Sequence, residues 1–336
     1  MSSKRNIIFF NGRLLPYSET FIKTQGEELQ NFTPYYVGSK RVTGLSLPKD
    51  RMLTVNQGNI TGAIEEGLFK INGFAPHLYQ KLTALNPALV HAHFGICGAL
   101  ALPLVEYLQV PLITSFYGVD ITMKDELARK ASLSHRIYFR RLELLKSKSK
   151  LIIAISKFIA RQLIAKAFPP EKIVINYLGV DTKIFQPDRQ IERQPIVLFV
   201  ARLVEKKGCE YLIKAMSEVQ KIMPKIELVI IGDGELKTSL EGLAQSNLNK
   251  YCFLGKQSPE RVRYWMNRST IFCVPSMTAK SGDTEGLGVV FAEAQAMGLP
   301  VVSTTNGGIP EVVADGETGF LTPEQDWSSL TQSLLE

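Results

Sequence analysis

The residues best suited to do chemistry lie at positions 281–297 of this 336-residue chain, where a glycine-rich turn runs into an apolar segment. The turn contains Gly286, Leu287 and Gly288, and residues 289–297 are predicted to form a helix. The first-turn amides of a helix have no intrahelical acceptor, and the helix dipole is positive there. Because glycines let a diphosphate approach the backbone closely, the turn is a candidate phosphate site.

Two glutamates, Glu285 and Glu293, stand eight positions apart across this turn and helix. A carboxylate on the buried face of an apolar helix needs a partner. A ribose diol offers two donors and is one good partner for Glu293. The alternative is structural: Glu285 stabilises the helix start and Glu293 forms a salt bridge. The spacing alone slightly favours that alternative, since glycine-rich turns are common.

Two cations, Arg202 and Lys207, follow a predicted buried strand at residues 196–200. Ligands of open α/β sheets bind at the carboxyl ends of strands. Arginine offers a fork to phosphate oxygens and lysine a point charge, although two exposed surface cations would give the same pattern. A third loop, residues 232–234, follows the next predicted strand, and three such loops on one edge favour a ligand site.

Short apolar runs alternate with longer amphipathic segments along the chain. Apolar strands without alternation, joined by helices, indicate parallel sheets covered on both faces. The predicted strands are residues 7–10, 89–91, 112–116, 151–155, 173–176, 196–200, 228–231, 252–254, 271–274 and 300–303. The predicted helices are residues 20–30, 98–108, 127–145, 157–166, 209–221, 236–244, 259–267 and 289–297. The predicted fold class is α/β, with two doubly wound, Rossmann-like domains.

A polar stretch with two prolines, residues 181–195, is typical of an interdomain linker. We therefore predict an N-terminal domain at residues 1–188 and a C-terminal domain at residues 189–336. The four cysteines form no CxxC pair, which disfavours a zinc site or a disulfide framework and favours a reduced, cytoplasmic protein. The apolar runs are too short for a signal-peptide core or for a span of the bilayer.

Positive charge is concentrated in the first half of the chain. Residues 1–188 carry 24 Lys and Arg against 14 Asp and Glu, whereas the remainder carries 15 against 18. The excess is largest at residues 124–166. A solvated helix face explains it about as well as attraction to an anionic membrane surface or a phosphorylated acceptor. A nucleic-acid partner is not predicted, because no binding motif accompanies the charge.

Several motifs resemble family 4 glycosyltransferases of the GT-B fold, over nearly the whole chain. In the C-terminal half they are ARLVEKKG, IIGDGEL, FLGKQSPERV, GGIPEVVADGETGFL and the Glu285–Glu293 pair. In the N-terminal half LLPYSETFI, VHAHFG and SFYGVD resemble a subgroup from exopolysaccharide biosynthesis of the colanic acid and amylovoran type. The resemblance implies two Rossmann-like domains facing each other across a cleft, the first binding acceptor and the second a nucleotide sugar.

The resemblance also implies an activity: retaining, metal-independent transfer of a hexose from a UDP- or GDP-linked donor to a lipid-linked or oligosaccharide acceptor. The donor is a substrate, so no cofactor and no metal are expected. A cytoplasmic protein, peripheral at the inner face of the membrane, is expected. Retention in this family is usually described as front-face attack, in which the protein positions the reactants and stabilises the leaving diphosphate.

The resemblance assigns roles to the residues of this sequence that match the family's motifs. Arg202 and Lys207 would hold the diphosphate, Glu293 the ribose and Glu285 the donor sugar, while Gly286, Leu287 and Gly288 would offer backbone amides. The candidate acceptor or loop residues are Gly12, Ser18, Glu19 and Asp120.

One departure concerns a loop in which the family often has His-Gly, near the transferred sugar. This sequence has Tyr117 and Gly118 there. Tyr117 can donate a hydrogen bond but cannot shuttle a proton near neutral pH, and His93 is a candidate for part of that role. His91 and His93 stand at strand spacing and are predicted to point to opposite faces, which argues against a shared metal.

Other functions remain open from the sequence. The same fold hosts nucleotide-sugar epimerases, and a noncatalytic nucleotide-sugar-binding protein would carry similar loops. A dinucleotide oxidoreductase is less favoured, because residues 11–16 contain no GxGxxG. The chain stops inside a helix predicted to begin near Asp326, where relatives of this fold continue with further helices, so we expect the C-terminal helices to be truncated.

Overall fold

The computed structural model describes residues 4–336, apart from the side chain of Ser18. The chain forms two compact units. The first unit contains the residues up to Ile155 together with Ile159–Asn176. The second unit contains Ser156–Phe158 and Tyr177–Glu336.

The first unit is built on a seven-stranded parallel sheet. Its strands are β1 (Arg5–Leu14), β2 (Phe32–Arg41), β3 (Met52–Asn56), β4 (Val90–His93), β5 (Leu112–Phe116), β6 (Ser149–Ala154) and β7 (Ile173–Ile175). Their order is β3-β2-β1-β4-β5-β6-β7, so the order reverses between β1 and β4. Such a reversal leaves a crevice at the carboxyl ends of the two strands.

Helices connect these strands, as parallel pairing requires. They are α1 (Thr20–Glu27), α2 (Ile60–Asn72), α3 (Pro76–Ala84), α4 (Gly95–Leu108), α5 (Val119–Thr122), α6 (Asp125–Ala131), α7 (Leu133–Arg140), α8 (Leu142–Lys148) and α9 (Lys157–Ala165). The central helix α4 is apolar all round and buries most of its residues, which is typical of a helix enclosed by its neighbours.

The second unit repeats this plan with a six-stranded parallel sheet. Its strands are β8 (Ile196–Val200), β9 (Glu227–Ile231), β10 (Tyr251–Phe253), β11 (Ile271–Cys273), β12 (Val301–Thr304) and β13 (Gly319–Thr322). Its helices are α10 (Cys209–Ile222), α11 (Lys237–Asn247), α12 (Pro259–Arg268), α13 (Val289–Ala296) and α14 (Trp327–Leu335). The order is β10-β9-β8-β11-β12-β13, with its reversal between β8 and β11. The predicted class, two Rossmann-like α/β domains, is confirmed.

The boundary between the units lies earlier than the sequence indicated. It falls between Asn176 and Tyr177 rather than after residue 188. The predicted linker belongs to the second unit because it is bonded to it. The Asp188 amide donates to Asn267 Oδ1 at 2.9 Å, and the Arg193 guanidinium donates to the carbonyls of Ser269 and Met297 at 2.6 and 2.7 Å.

The helix predicted at residues 127–145 is divided into α6, α7 and α8. Ser132 interrupts it: its backbone is extended, and its hydroxyl accepts the His135 amide at 3.3 Å as the N-cap of α7. Serine at such a position competes with helix continuation. The elements β2, β3, β13, α2, α3 and α5 were not predicted. In β2, Pro34 and Gly38 weaken the strand pattern.

No helix within residues 4–336 is both long and apolar enough to span a bilayer.

Candidate functional site

The loop after β8 is fixed against the loop after β9 at the reversal point of the second sheet. The Leu203 amide donates to the Asp233 carbonyl at 2.9 Å, and the Ala201 amide to Ile231 at 3.1 Å. Gly232 has a φ of +150°, and a Cβ there would lie 1.8 Å from the Ala201 carbonyl oxygen. Only glycine permits this approach, which holds Arg202 and Lys207 at the carboxyl edge of β8.

The segment that carries Glu285 is held by Asn306, which lies in the loop after β12 and is fully buried. Asn306 Oδ1 accepts the Glu285 amide at 3.0 Å, and its Nδ2 donates to Glu324 Oε1 at 2.6 Å. The Gly308 amide donates to the Glu285 carbonyl at 3.0 Å. Both backbone groups of Glu285 are therefore bonded, so its carboxylate is presented from a fixed position.

Glu285 and Lys207 form an ion pair in which each side chain is 12% exposed. Beside them, Lys206 Nζ lies 2.9 Å from Asp283 Oδ1. Burial alone would raise the pKa of Glu285, but Lys207, Lys206 and Arg202 outweigh that effect and lower the pKa to about 2. Glu285 is therefore ionised at neutral pH, where it can accept hydrogen bonds but cannot act as a general acid.

The start of α13 offers free backbone donors. Gly288, the residue before the helix, has a φ of +83°, and no side chain caps the helix. The amides of Val289 and Val290 have no acceptor among the described residues. The Gly286 carbonyl accepts a hydrogen bond from the Ser156 hydroxyl at 2.7 Å. This bond fixes the orientation of the turn and leaves the amides of Val289 and Val290 available to a ligand. Such amides form an anion site.

Two predicted ligand-binding side chains have no partner of their own in residues 4–336. The exposed Arg202 guanidinium makes no hydrogen bond or ion pair there, although its charge acts on Glu285. The half-buried Glu293 carboxylate likewise makes none. Burial raises the pKa of Glu293 to about 7. The predicted salt-bridge alternative for Glu293 is thus wrong for the residues described.

In the first unit, Tyr117 and His93 are hydrogen-bonded, with 2.7 Å between the Tyr117 hydroxyl and His93 Nδ1. His93 is fully buried, and its Nε2 has no partner in the described chain. Burial, and to a lesser extent His91, lower the pKa of His93 well below 6.5. The neutral imidazole therefore cannot shuttle protons readily near pH 7.

The two histidines do not point to opposite faces. The rings of His91 and His93 stack with 4.3 Å between centroids. The prediction was wrong because residues two apart in a strand share a face. His91 Nε2 bonds to Ser115 Oγ at 2.8 Å. No cluster of three or more potential metal ligands occurs among the residues described.

Asp120 binds backbone and acts as a loop residue. Its Oδ2 accepts the Gly95 amide at 2.8 Å, at the first residue of α4. Its Oδ1 accepts the amides of Gly118 and Tyr117 at 3.0 and 3.2 Å. The buried carboxylate thus fixes the loop after β5 against the start of α4, which positions Tyr117 rather than presenting a free acid.

Gly12 and Glu19 lie at the reversal point of the first sheet. Gly12 is inside β1 and not in a loop, because β1 extends to Leu14; its amide donates to Cys97 Sγ at 3.1 Å. Glu19 Oε2 accepts from Asn11 Nδ2 at 2.6 Å. Burial raises the pKa of Glu19 to about 7, although Asn11 and Arg13 oppose it. The Ser18 side chain lies outside the described residues.

Sequence reasoning missed three contacts of the candidate site residues: Asn11 with Glu19, Asn306 with Glu285, and Lys207 with Glu285. Asn11 and Asn306 each stand before a glycine, Asn11 in the carboxyl-terminal half of β1 and Asn306 just after β12. That position is a usable signal, because polar residues there reach the ligand edge of the sheet.

Comparison with known proteins identifies the family. Residues 180–336 match the family model described as "Glycosyl transferases group 1", and residues 49–184 match "Glycosyltransferase Family 4". The amylovoran biosynthesis glycosyltransferase AmsK of Erwinia amylovora is 36% identical over 76% of this chain and 65% of its own length. The putative colanic acid biosynthesis glycosyltransferase WcaL of Escherichia coli is 33% identical over 76% of this chain and 62% of its own length. The chain thus spans less than two thirds of these relatives.

Solved structures share the fold. HepE of Anabaena, crystallised with UDP-glucose, has a TM-score of 0.76 and 20% identity, over 98% of this chain and 88% of its own. Sucrose-phosphate synthase of Thermosynechococcus elongatus has a TM-score of 0.75 and 19% identity, over 99% of this chain and 89% of its own. The fold is GT-B. With both family models matched in succession from residue 49 to residue 336, the chain belongs to the group 1, family 4 glycosyltransferases.

Proposed function

We propose that this chain transfers a hexose, with retention of configuration, from a UDP- or GDP-linked donor to a lipid-linked or oligosaccharide acceptor in exopolysaccharide biosynthesis. The observation that carries the proposal is that the Arg202 guanidinium, which has no partner among the described residues, acts on the ionised Glu285 at the carboxyl edge of the second sheet. The amides at the start of α13 follow Glu285 directly and have no acceptor in residues 4–336. The same helix carries the Glu293 carboxylate, which also has no partner in the described chain.

Each group suits one part of a nucleotide sugar. The Arg202 guanidinium and the amides of Val289 and Val290 suit the diphosphate, because all are donors without an acceptor in the part of the chain that the structure describes. The Glu293 carboxylate suits the ribose diol, which would supply the hydrogen bonds it lacks. Glu285, fixed through both its backbone groups, suits hydroxyls of the donor sugar.

The chemistry that follows is positioning and charge stabilisation. As the bond from the sugar to the diphosphate breaks, negative charge develops on the leaving phosphate, where Arg202 and the dipole of α13 stabilise it. Glu285 is ionised and fixed, so its part is to orient the sugar and to stabilise positive charge developing at the sugar ring. Front-face attack by the acceptor hydroxyl is consistent with these roles.

The names of relatives support the pathway part of the proposal. AmsK is named for amylovoran biosynthesis and WcaL for colanic acid biosynthesis, and HepE was crystallised with UDP-glucose. Action without a metal, and a cytoplasmic location at the membrane, stay predictions. The acceptor is assigned to the first unit, where Glu19, His93 and Tyr117 line the reversal point of the sheet.

Thermal shift with UDP-, GDP- and ADP-linked sugars tests the donor, since a ligand that binds only the folded protein raises its melting temperature. Consumption of the stabilising donor is then measured with and without lipid-linked acceptor. Transfer needs acceptor, and the anomeric configuration of the product, read by NMR, decides retention. Conversion of the donor without acceptor would support a nucleotide-sugar epimerase. Binding without conversion under either condition would support a noncatalytic binding protein.

A further inference from the structure

The helix α2 turns its most apolar face to water. Ile60, Ile64, Leu68 and Ile71 are 82%, 61%, 39% and 56% exposed. At about 100° per residue these four side chains fall within an arc of roughly 80° on the helix. We call these four residues the α2 stripe. Exposed Ala63 and half-buried Gly67 lie beside it, so no charged side chain interrupts it.

The opposite face of α2 holds the helix firmly on the first unit. Phe69 is fully buried and packs on Phe10 with 5.9 Å between ring centroids. Glu66 is buried, bonded to Asn56 at 2.8 Å and to Lys70. Asn59 Oδ1 caps the first turn by accepting the Gly62 amide at 2.7 Å. The helix therefore buries a carboxylate while it exposes isoleucines, the reverse of what folding alone would favour.

The exposed apolar surface continues past the helix. Phe74 follows the stripe closely in the chain and is 56% exposed. Between them, Gly73 ends α2 with a φ of +79°, and a Cβ there would lie 2.2 Å from Pro103 Cβ of α4. The stripe and Phe74 are thus presented from fixed backbone. An apolar patch of this kind on a soluble domain marks an interaction surface.

Basic residues adjoin the stripe. Arg141 Nη2 donates to the Ile71 carbonyl at 2.9 Å and its Nη1 to the Ala99 carbonyl at 3.0 Å, which ties the end of α7 to the last turn of α2. On α7, Arg136 and Arg140 stand four positions apart, and both are exposed without hydrogen bond or ion pair among the described residues. Exposed isoleucines can bury their apolar surface in the acyl region of a bilayer, while adjacent arginines contact anionic headgroups. The two features together fit the interface of an anionic bilayer.

We propose that α2 is a membrane-docking helix: the α2 stripe and Phe74 enter the acyl boundary of an anionic bilayer, and Arg136 and Arg140 contact lipid phosphates. A second copy of the chain fits less well. Self-association across a two-fold axis would bring the unpaired arginines of both copies together without counter-charges. The inference rests on the lipid-linked acceptor of the proposed function, because a soluble acceptor gives this surface no use.

Flotation of the 336-residue chain with vesicles tests the proposal, using phosphatidylcholine alone or mixed with phosphatidylglycerol, at low and high salt. Ile64→Glu and Leu68→Glu should each lower the partition coefficient about tenfold or more, because burial of an aliphatic side chain is lost. Arg140→Ala should lower binding to the anionic vesicles about fivefold at low salt and little at high salt. The matched control is Ile222→Glu in the second unit, where Ile222 is 65% exposed; it should partition like the unchanged chain.

A fluorescence measurement gives an independent reading. The fluorescence emission of the tryptophan introduced by Ile64→Trp should shift to shorter wavelength with anionic vesicles and should be quenched by lipids brominated on their acyl chains. The emission of the tryptophan introduced by Ile222→Trp should show neither effect. Equal partition of Ile64→Glu and Ile222→Glu, or no quenching in the Ile64→Trp variant, would overturn the proposal. Self-association that Ile64→Glu abolishes, without vesicle binding, would assign the surface to a second copy instead. Thermal shift with nucleotide sugars should be the same for Ile64→Glu and the unchanged chain, so failure of docking is separable from failure of the donor site.

Discussion

Lys207 and Glu285, separated by 78 positions in the chain, form an ion pair at the carboxyl edge of the second sheet. The resemblance assigned Lys207 to the diphosphate and Glu285 to the sugar, as separate tasks. The pair connects these tasks, because each side chain sets the position and charge state of the other. A bound diphosphate would lie beside Lys207 while Glu285 keeps it oriented.

Glu285→Ala should abolish transfer while nucleotide binding persists. It should also lower the free energy of unfolding by about 3 kcal/mol, because removal of one partner leaves Lys207 poorly solvated and unpaired. UDP or GDP should then raise the melting temperature more than in the unchanged chain, since the diphosphate replaces the lost counter-charge. Calorimetry with and without nucleotide measures both effects.

Asp283→Ala is the matched control for that experiment. It breaks the neighbouring pair with Lys206, in which the Lys206 and Asp283 side chains are 9% and 16% exposed. It should destabilise the fold to a similar extent but retain measurable transfer and the ordinary nucleotide shift. Near-normal turnover in Glu285→Ala would show that the carboxylate does not act on the sugar.

Arg202→Ala should weaken donor binding and catalysis with no loss of stability, because the guanidinium is exposed and unpaired in the described chain. A charge-assisted hydrogen bond contributes about 1.5–3 kcal/mol, so kcat/KM should fall roughly 10- to 150-fold. Affinity for the free nucleoside should not change. An equal loss for nucleoside and nucleoside diphosphate would contradict a phosphate contact.

Lys207→Ala should behave differently from Arg202→Ala. It removes the side chain that the resemblance assigns to the diphosphate, and it also leaves Glu285 buried without its main counter-charge. We expect a lower melting temperature and a rise in the pKa of Glu285, which now lies at about 2. The Lys207→Ala, Glu285→Gln double variant should regain most of the stability but none of the activity. A double variant no more stable than Lys207→Ala would mean that the pair does not govern stability.

Donor affinity should rise with pH through the pKa of Glu293. Burial places that pKa at about 7, and the ionised carboxylate accepts hydrogen bonds from the ribose better than the acid does. The dissociation constant of the nucleotide sugar should therefore fall between about pH 6 and pH 8. A nucleotide sugar is the right ligand, because its diphosphate diester does not titrate in this range. Glu293→Gln should bind more weakly, with no pH dependence; a dependence that survives the substitution would exclude Glu293 as its source.

Tyr117→Phe should lower kcat while leaving the donor KM nearly unchanged, because it removes the hydroxyl bonded to His93 in the first unit. The unfolding free energy should fall by about 1–2 kcal/mol, since buried His93 loses its only side-chain hydrogen bond among the described residues. Thr114→Val is the control: it removes the buried contact of Thr114 Oγ1 with Ser149 Oγ at 3.2 Å and should destabilise the chain similarly without the fall in kcat. Equal kinetic effects would assign Tyr117 a structural role.

Local sequence was sufficient for much of the framework. The bounds of β5 and β8 agree with the prediction, because each is a short apolar run between turn residues. The repeat of strands and helices predicted the parallel sheets, since parallel strands need crossover helices. The motif positions also predicted that Arg202 and the turn before α13 lie at strand ends, and both flank the reversal between β8 and β11.

The interior of the first unit was less predictable. Strand β2 carries Pro34 and Gly38, and its burial comes from β1 and β3 on either side rather than from its own pattern. In helix α2 the apolar pattern would give the wrong buried face, because a row of isoleucines normally indicates the side that faces the core. Which face of a helix is covered depends on its neighbours, and these are set by strand order.

The sequence by itself therefore determined most of the element types, the family and the candidate residues for binding a nucleotide sugar. Only the tertiary structure decided their pairings: Lys207 with Glu285, Asn306 behind Glu285, Tyr117 with His93, and Glu293 with no partner among the described residues. These residues come from different strand–helix units of the chain. Helix and strand patterns are fixed by neighbours a few positions apart, whereas contacts across a sheet edge depend on the order in which distant strands associate.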